Sequence, residues 1–201
     1  MADQQLPKER ESVFAFGIEL EIVQDNDLPL LMFWRNQPDI LPFMDNTRKI
    51  SLNGLRFWHT RIRQKGNTFA YIARSSGIPV GYAELKNVNN AEKSCEDGLI
   101  IFDRQNRGTG LSHRIMFCRE IISERLGIRS MMNRIHFKNE ASINFYKKYG
   151  SELVRHEGDF LLFVYEYRKR RSCMEKIAIH LGLYDEYKKY LGSADIEKNL
   201  D

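Results

Sequence analysis

Cysteine is scarce in this 201-residue chain. Cys95, Cys118 and Cys173 stand far apart, with no CxxC pair and no metal-ligand spacing, and an odd count does not make a disulfide framework. A reducing, cytoplasmic setting is therefore expected. Long apolar runs are also missing. The longest, Phe160 to Tyr165, is too short to span a bilayer, and the polar start MADQQLPKERES has no apolar stretch of the signal-peptide kind, so neither secretion nor membrane insertion is expected. There is no HExxH, no GxSxG and no GxxxxGK[ST], and His59, His113, His136, His156 and His180 share no ligand spacing. Neither a metal nor a covalent nucleophile is called for. Charge of one sign does not dominate either: 31 Lys and Arg against 27 Asp and Glu give a net +4, which suits an anionic ligand, but no nucleic-acid-binding motif accompanies it. What remains is an ordinary composition, 42% apolar and 29% charged, without internal repeats, as expected of one globular domain with its own core.

The chain divides into a polar segment 1–12, a domain over 13–170 and a C-terminal extension 171–201. From Val13 the stretch FAFGIELEIV alternates as a strand, with Phe14, Phe16, Ile18, Leu20 and Ile22 on one face. Asp25-Asn26-Asp27 supplies caps for a short helix, LPLLMFWRN, that ends before Pro38. A second helix is expected over 51–65, capped by Ser51. TFAYIAR and PVGYAEL, joined by Ser75-Ser76-Gly77-Ile78, read as a hairpin, and Asn87 to Lys93 as a loop. Leu99 to Phe102 is a short continuous apolar run of the kind buried on both faces. It leads into RQNRGTG and then a helix from Leu111 to Leu126, whose Leu111, Ile115, Cys118 and Ile122 keep helical spacing up to Gly127. A strand over 128–136, a helix from Glu140 capped by Asn139 and closed by Gly150, and a hairpin around Glu157-Gly158-Asp159 follow. The basic run Arg168 to Arg171 reads as a solvated face. Ser172 to Leu191 carries Ile177, Leu181, Tyr184, Tyr187 and Leu191 at helical spacing, as one added helix. The fold class is mixed α/β.

Arg107-Gly108-Thr109-Gly110-Leu111-Ser112 lies between a buried strand and a helix. Glycines there let backbone N–H groups converge on an anion at the helix start, or simply make a tight turn. With NEASINFYKKYG after the next strand, the sequence resembles the GNAT-type N-acetyltransferases, in the loop (R/Q)-x-x-G-x-(G/A) and in the helix N-x-x-(A/S)-x-x-x-Y-x-K-x-G. One departure is Ser112, where the family has Gly or Ala. The resemblance covers most of 13–167 and implies a single domain whose mixed sheet is splayed at its centre and flanked by helices. It also implies acetyl-CoA as cosubstrate, with no metal. The amides of Arg107, Gly108, Thr109, Gly110, Leu111 and Ser112 would hold its pyrophosphate, and the strand edge at Ile101 and Phe102, with Asn139, its pantetheine arm. Tyr146 would protonate the departing thiolate after direct attack by the acceptor amine; read from its helix alone, Tyr146 is a buried aromatic. Glu96 resembles the family's acidic position for a base, with Glu84 on the preceding strand or a water as alternatives.

The acceptor must be decided by the N-terminal half. FWRNQPDILPFMDNTRKISLNGLRFWHTRI, with KSCEDGL, resembles the nucleotide-sugar amine N-acetyltransferases of the pseudaminic-acid pathway. Its W-R-N element is also similar to enzymes that acetylate ribosomal-protein N-termini. The resemblance would put Trp34, Arg35, Asn36, Phe43 and Met44, with Glu84, near an amino-sugar nucleotide, Arg and aromatic side chains suiting its diphosphate and rings. Trp34 is otherwise core and Arg35 an ion-pair partner. A protein N-terminal or polyamine acetyltransferase and an idle CoA-binding module are the other readings. The added helix would cover an apolar face, contact the acceptor or form a homodimer.

Overall fold

Alternation from residue 13 to 22 is interrupted by Phe16 and Gly17, both in the left-handed region (φ 55° and 69°). Two such residues in succession make a hairpin turn matched to strand twist. The expected single strand is therefore two, β1 (Val13–Ala15) and β2 (Ile18–Ile22), and the five apolar residues do not share a face: Phe14 is 71% exposed while Phe16 is buried in the turn. Distant side chains clamp that turn. Arg114 Nη1 donates to the Phe16 carbonyl (2.9 Å), and the Phe16 N–H donates to Glu186 (2.5 Å).

A computed structural model describes residues 12–101 and 107–192, and the backbone alone at 99–101. After β2 come α1 (Leu28–Arg35) and α2 (Leu52–Lys65), the latter capped by the Ser51 hydroxyl, which accepts from the Gly54 N–H (3.1 Å), and closed by left-handed Gly66. Next are β3 (Phe69–Ser75), β4 (Ile78–Asn89) and β5 (Ser94–Ile101). The expected loop at 87–93 shrinks to a turn, because β4 runs to Asn89 and β5 starts at Ser94, five residues before its apolar run. Polar residues there alternate with buried Cys95 and Asp97. α3 (Leu111–Arg125), β6 (Ser130–His136), α4 (Glu140–Lys148), β7 (Glu152–Glu157) and β8 (Phe160–Glu166) complete the core. Phe102, expected at the end of β5, lies outside the described residues.

The eight strands order as β1-β2-β3-β4-β5-β6-β8-β7. Every pair is antiparallel except β5 with β6. That parallel pair joins only Ser94 to Ser130, Cys95 to Met131 and Glu96 to Met132, although β5 continues to Ile101 and β6 to His136. Beyond Glu96 the sheet is split, as the resemblance implies.

Each face has its own core. Ala70, Ile72 and Tyr82 point one way, onto Leu28, Leu31 and Trp34 of α1 and Leu55 of α2. Tyr71, Ala73 and Ala83 point the other way, in a larger cluster with α3 and α4 and with the C-terminal helices. Those helices are two: α5 (Tyr167–His180) follows β8 directly, and α6 (Tyr184–Leu191) follows a break at Leu181–Leu183. The single helix over 172–191 is thus corrected on both counts, since Gly182 takes a left-handed conformation (φ 66°) that ends α5. The solvated reading of the basic run is corrected as well. Arg170 and Arg171 are 0% and 2% exposed. Arg170 makes a bidentate pair with Glu120 (Nε 2.9 Å, Nη2 2.9 Å), and Arg171 pairs with Glu124 (2.6 Å). Because α5 covers α3, α3 is not the expected one-sided amphipathic helix: Arg119, Glu120 and Ser123 are buried beside Ile115, Phe117 and Ile122.

Candidate active site

Where the strands part, a side chain takes over from the ladder. Asn133 Nδ2 donates to the Asp97 carbonyl (3.1 Å) and to the Asp97 carboxylate (3.0 Å), one step beyond the last backbone pair. Asp97 is also held by the Tyr165 hydroxyl and by Arg119, a group buried throughout. An ionised carboxylate is tolerated in such a place only when it is paired and hydrogen-bonded. Asn133 Oδ1 is buried with no hydrogen-bond partner among the described residues. The split therefore has a fixed apex, and above it the backbone of β5 faces no strand on that side among the described residues.

Just ahead of α3, residues 107–110 form a loop that carries Gly108 and Gly110, both at positive φ (80° and 84°), a conformation L side chains rarely adopt. Gly110 is the N-cap of α3 and offers no side chain to its first amides. Uncapped N–H groups at a helix start are suited to an anion. Arg107 forms an ion pair with Asp39 (2.7 Å), tying this loop to the segment after α1. Leu111 is buried, and Arg107, Gly108 and Thr109 are exposed. The glycine conformations, the open helix start and the strand split together fit a long ligand with a diphosphate at one end and amides along its length.

On α4, Asn139 spends its side-chain oxygen as a cap, accepting from the Ser142 N–H (3.1 Å). Tyr146 is 5% exposed in the larger core, its ring 6.3 Å from that of Tyr165, whose hydroxyl binds Asp97. It is thus a buried aromatic and also a neighbour of the group at the apex.

Glu84 and Glu96 share the α1–α2 face of the sheet with Tyr82. Glu84 accepts from the Tyr82 hydroxyl (2.7 Å) and lies 3.4 Å from Lys86 Nζ. Glu96 accepts from Asn87 Nδ2 (2.7 Å) and lies 3.7 Å from the same ammonium. Burial lowers the Lys86 pKa, but the carboxylates outweigh it and the net shift is upward. Burial, then Glu84, push the Tyr82 phenol up. Glu84 pairs in register with Gly98, past the apex, and Glu96 with Lys86, at the last joined level. A Cβ on Gly98 would stand 2.8 Å from Glu84 Cγ and Oε1, so the bare glycine makes room for the carboxylate. A glycine inside a strand often marks close approach, and this one was readable in KSCEDGL.

Of the residues expected near an acceptor, Trp34 is 7% exposed in the α1–α2 core and Met44 packs against that core. Asn36 is spent on the chain itself: its amide donates to the Ile50 carbonyl (2.9 Å) and accepts from the Ile50 N–H (2.8 Å). Arg35 Nη2 donates to the Asn46 carbonyl (2.6 Å), while Nη1 is buried without a hydrogen-bond partner. Burial lowers its pKa, and Asp45 offsets part of that. Phe43 meets His136 edge-on (5.9 Å). Trp34 and Asn36 thus shape the loop over 37–50, and Arg35 and Phe43 are the members facing polar or aromatic groups.

Residues 20–163 match the family described as Acetyltransferase (GNAT) domain. The chain belongs to the GNAT acetyltransferases. As a GNAT it is an N-acetyltransferase, and its fold is similar to three solved relatives. The spermidine N-acetyltransferase from Vibrio cholerae, in complex with CoA and spermine, has a TM-score of 0.68 at 16% identity, over 77% of this chain and 98% of that one. RimL, a ribosomal L7/L12 alpha-N-protein acetyltransferase in complex with coenzyme A, gives 0.66 at 15%, over 78% and 98%. FdhC, a nucleotide-linked sugar GNAT, gives 0.67 at 14%, over 86% and 97%. At such identities the likeness is one of fold. Comparison with curated protein sequences finds no match. Among the described residues, no three His, Cys, Asp or Glu side chains gather as a metal site, and no helix is long and apolar enough to cross a membrane.

Sequence reasoning missed Asn133, Asp97, Arg119 and Tyr165. They come from three strands and a helix, and no local pattern links them.

Proposed function

We propose that this GNAT transfers acetyl from acetyl-CoA to the free amine of an amino-sugar nucleotide. The observation that carries the acceptor class is the charge state of the α1–α2 face. Asp39, Asp45, Glu84 and Glu96 each already have a cation, Arg107, Arg134 or Lys86. Among the described residues, Arg35 donates to a carbonyl, has Asp45 near enough to raise its pKa but no ion pair with it, and keeps a buried donor without a hydrogen bond. A polyamine needs surplus carboxylate; a diphosphate needs a guanidinium with donors to spare. A nucleotide-linked sugar GNAT is among the solved relatives that share this fold.

Acetyl-CoA supplies the activated acetyl group as a thioester. The amides from Arg107 to Ser112 bind its pyrophosphate, and the free edge of β5 orients its arm above the Asn133 apex. Glu84, level with the open edge, receives the amine's proton directly or through water, and Glu96 shares the Lys86 charge with it. Tyr146 donates a proton to the leaving sulfur. No covalent enzyme intermediate is required. An α-amine near pKa 7.8 is neutral roughly one time in seven at pH 7, and a lysine-type amine only about once in 2,500, so a modest carboxylate relay suffices for a weakly basic sugar amine.

The test is acetyl-CoA with a panel of amino-deoxy nucleotide sugars, N-terminal peptides and polyamines, following thiol release. Turnover of a nucleotide sugar is expected; turnover of peptides or polyamines alone overturns the acceptor class. Tyr146→Phe is expected to lower kcat about 10²- to 10⁴-fold with acetyl-CoA binding intact, and unchanged turnover removes Tyr146 from the mechanism.

A further inference from the structure

The turn from β6 into α4 presents aromatic surface that the chemistry above does not use. His136 and Phe137 stack at 5.1 Å with ring planes 16° apart, and Phe137 is 46% exposed. The stack is fixed from several sides. The Phe137 N–H donates to the Asp159 carbonyl (2.9 Å), the Asn139 N–H donates to the His136 carbonyl (2.8 Å), and Phe160 meets the His136 ring edge-on at 5.4 Å. His136 Nδ1 accepts from the Lys138 N–H (3.2 Å), which places the proton of the neutral ring on Nε2. Two cations border the plate: Lys138 Nζ lies 5.5 Å from the Phe137 centroid, and the Arg134 guanidinium sits 4.3 Å over Phe160. Arg134 is engaged with Asp45 and Glu157; Lys138 has no carboxylate partner among the described residues.

The plate is continuous with the acceptor loop. Phe43 packs on His136, Asp45 pairs with Arg134, and the next residue, Asn46, holds Arg35. One short loop therefore connects an exposed aromatic stack to a guanidinium with an unmet donor. A flat ring system joined to a phosphate matches that pairing, since stacking takes the ring and the cations take the charge. A polyamine offers no ring, and an unmodified peptide N-terminus joins none to a phosphate.

We infer that the His136–Phe137 stack is a subsite for the nucleobase of the acceptor. This rests on the nucleotide-sugar reading and adds to it the residues that would separate a nucleotide sugar from a bare sugar phosphate. Phe137→Ser and Phe137→Tyr are compared with wild type on two acceptors, an amino-sugar nucleotide and the same amino sugar as its 1-phosphate, with calorimetric binding of UDP and CDP as a second measurement. Stacking of one base on an aromatic side chain corresponds to about 5- to 150-fold in affinity. Phe137→Ser is expected to raise KM for the nucleotide sugar by a factor in that range and to weaken UDP or CDP similarly. The 1-phosphate and acetyl-CoA should keep their KM values, and Phe137→Tyr should retain the nucleotide preference. A wild-type preference for the nucleotide that survives Phe137→Ser overturns the subsite while leaving the acceptor class standing. A rise in KM for acetyl-CoA instead overturns it in favour of the CoA adenine. Wild-type enzyme that ignores nucleotide sugars altogether removes the acceptor reading, and the subsite with it.

Discussion

Replacing Arg170 by Met removes the cation that faces Glu120 in the interior. Both side chains are 0% exposed, and the pair is bidentate with three contacts of 2.9–3.0 Å. Burial lowers the Arg170 pKa, but Glu120, Tyr165 and Cys95 together outweigh it and the net shift is upward. Met fills much of the space but leaves Glu120 without a charge partner on α3. Breaking a buried pair from one side costs about 3–5 kcal/mol; at about 2–4 °C per kcal/mol for a domain of this size, Tm should fall about 6–20 °C. Pairing that change with Glu120→Leu should recover most of the loss, because a well-packed apolar pair can replace a buried ion pair. The adjacent Lys169 provides the contrast. It pairs with Glu152 at the surface, with the two side chains 50% and 73% exposed, and Lys169→Ala should cost no more than about 1 kcal/mol. Scanning calorimetry with urea melts would measure all three. A loss below about 1 kcal/mol for Arg170→Met, or a double variant no better than the single, would refute the account of Arg170 as a neutralising residue.

Gly98→Ala places a methyl group against the flexible end of Glu84. Stability should change by less than about 1 kcal/mol, because a side chain rather than backbone yields, while kcat falls about 10- to 100-fold and KM for acetyl-CoA holds; steady-state kinetics that leave kcat intact would exclude Glu84 as the proton acceptor. His113, bonded through Nδ1 to the Tyr149 hydroxyl (2.6 Å), has its pKa lowered from 6.5 to about 4 by burial, then by Lys148 and His180. The unfolded chain therefore binds the proton more readily, so this contribution to stability is complete above about pH 6.5 and is lost as pH falls toward about 4. Melting temperatures measured across pH 4–7 should decline less steeply for His113→Gln than for wild type, and parallel curves would assign the acid limb elsewhere.

Much of the fold was legible because its signals are local. Ser51 caps α2, Asn139 caps α4, and left-handed Gly127 and Gly150 follow the helices where the sequence suggests. The glycine turn at 108–110 and the helix within NEASINFYKKYG were legible for the same reason. What escaped was set by contacts distant in sequence. An alternating run reads identically whether it is one strand or a hairpin folded at Phe16-Gly17. Four consecutive basic residues read as a solvated face unless Glu120 and Glu124, some 50 residues earlier, are known to oppose them. Within the candidate site, Arg35 and Phe43 meet a polar and an aromatic group of the chain, and Trp34 and Asn36 are taken up by the α1–α2 core and the backbone of Ile50, which residue type alone does not disclose.

The turn at Phe16-Gly17 also bears on how the protein is made. Its carbonyl waits for Arg114 and its N–H for Glu186, partners 98 and 170 residues downstream. A chain emerging N-terminus first has neither when this turn leaves the ribosome. The first hairpin therefore reaches its final hydrogen bonding only when α6, almost the last element, has been synthesised and has docked beside α3. Closure between the two ends of a chain carries a large loop entropy and belongs late in folding. β1 is an edge of the finished sheet as well, so until those partners arrive the strand made first is an edge on an unclamped hairpin, the place where the nascent protein is most prone to mispairing.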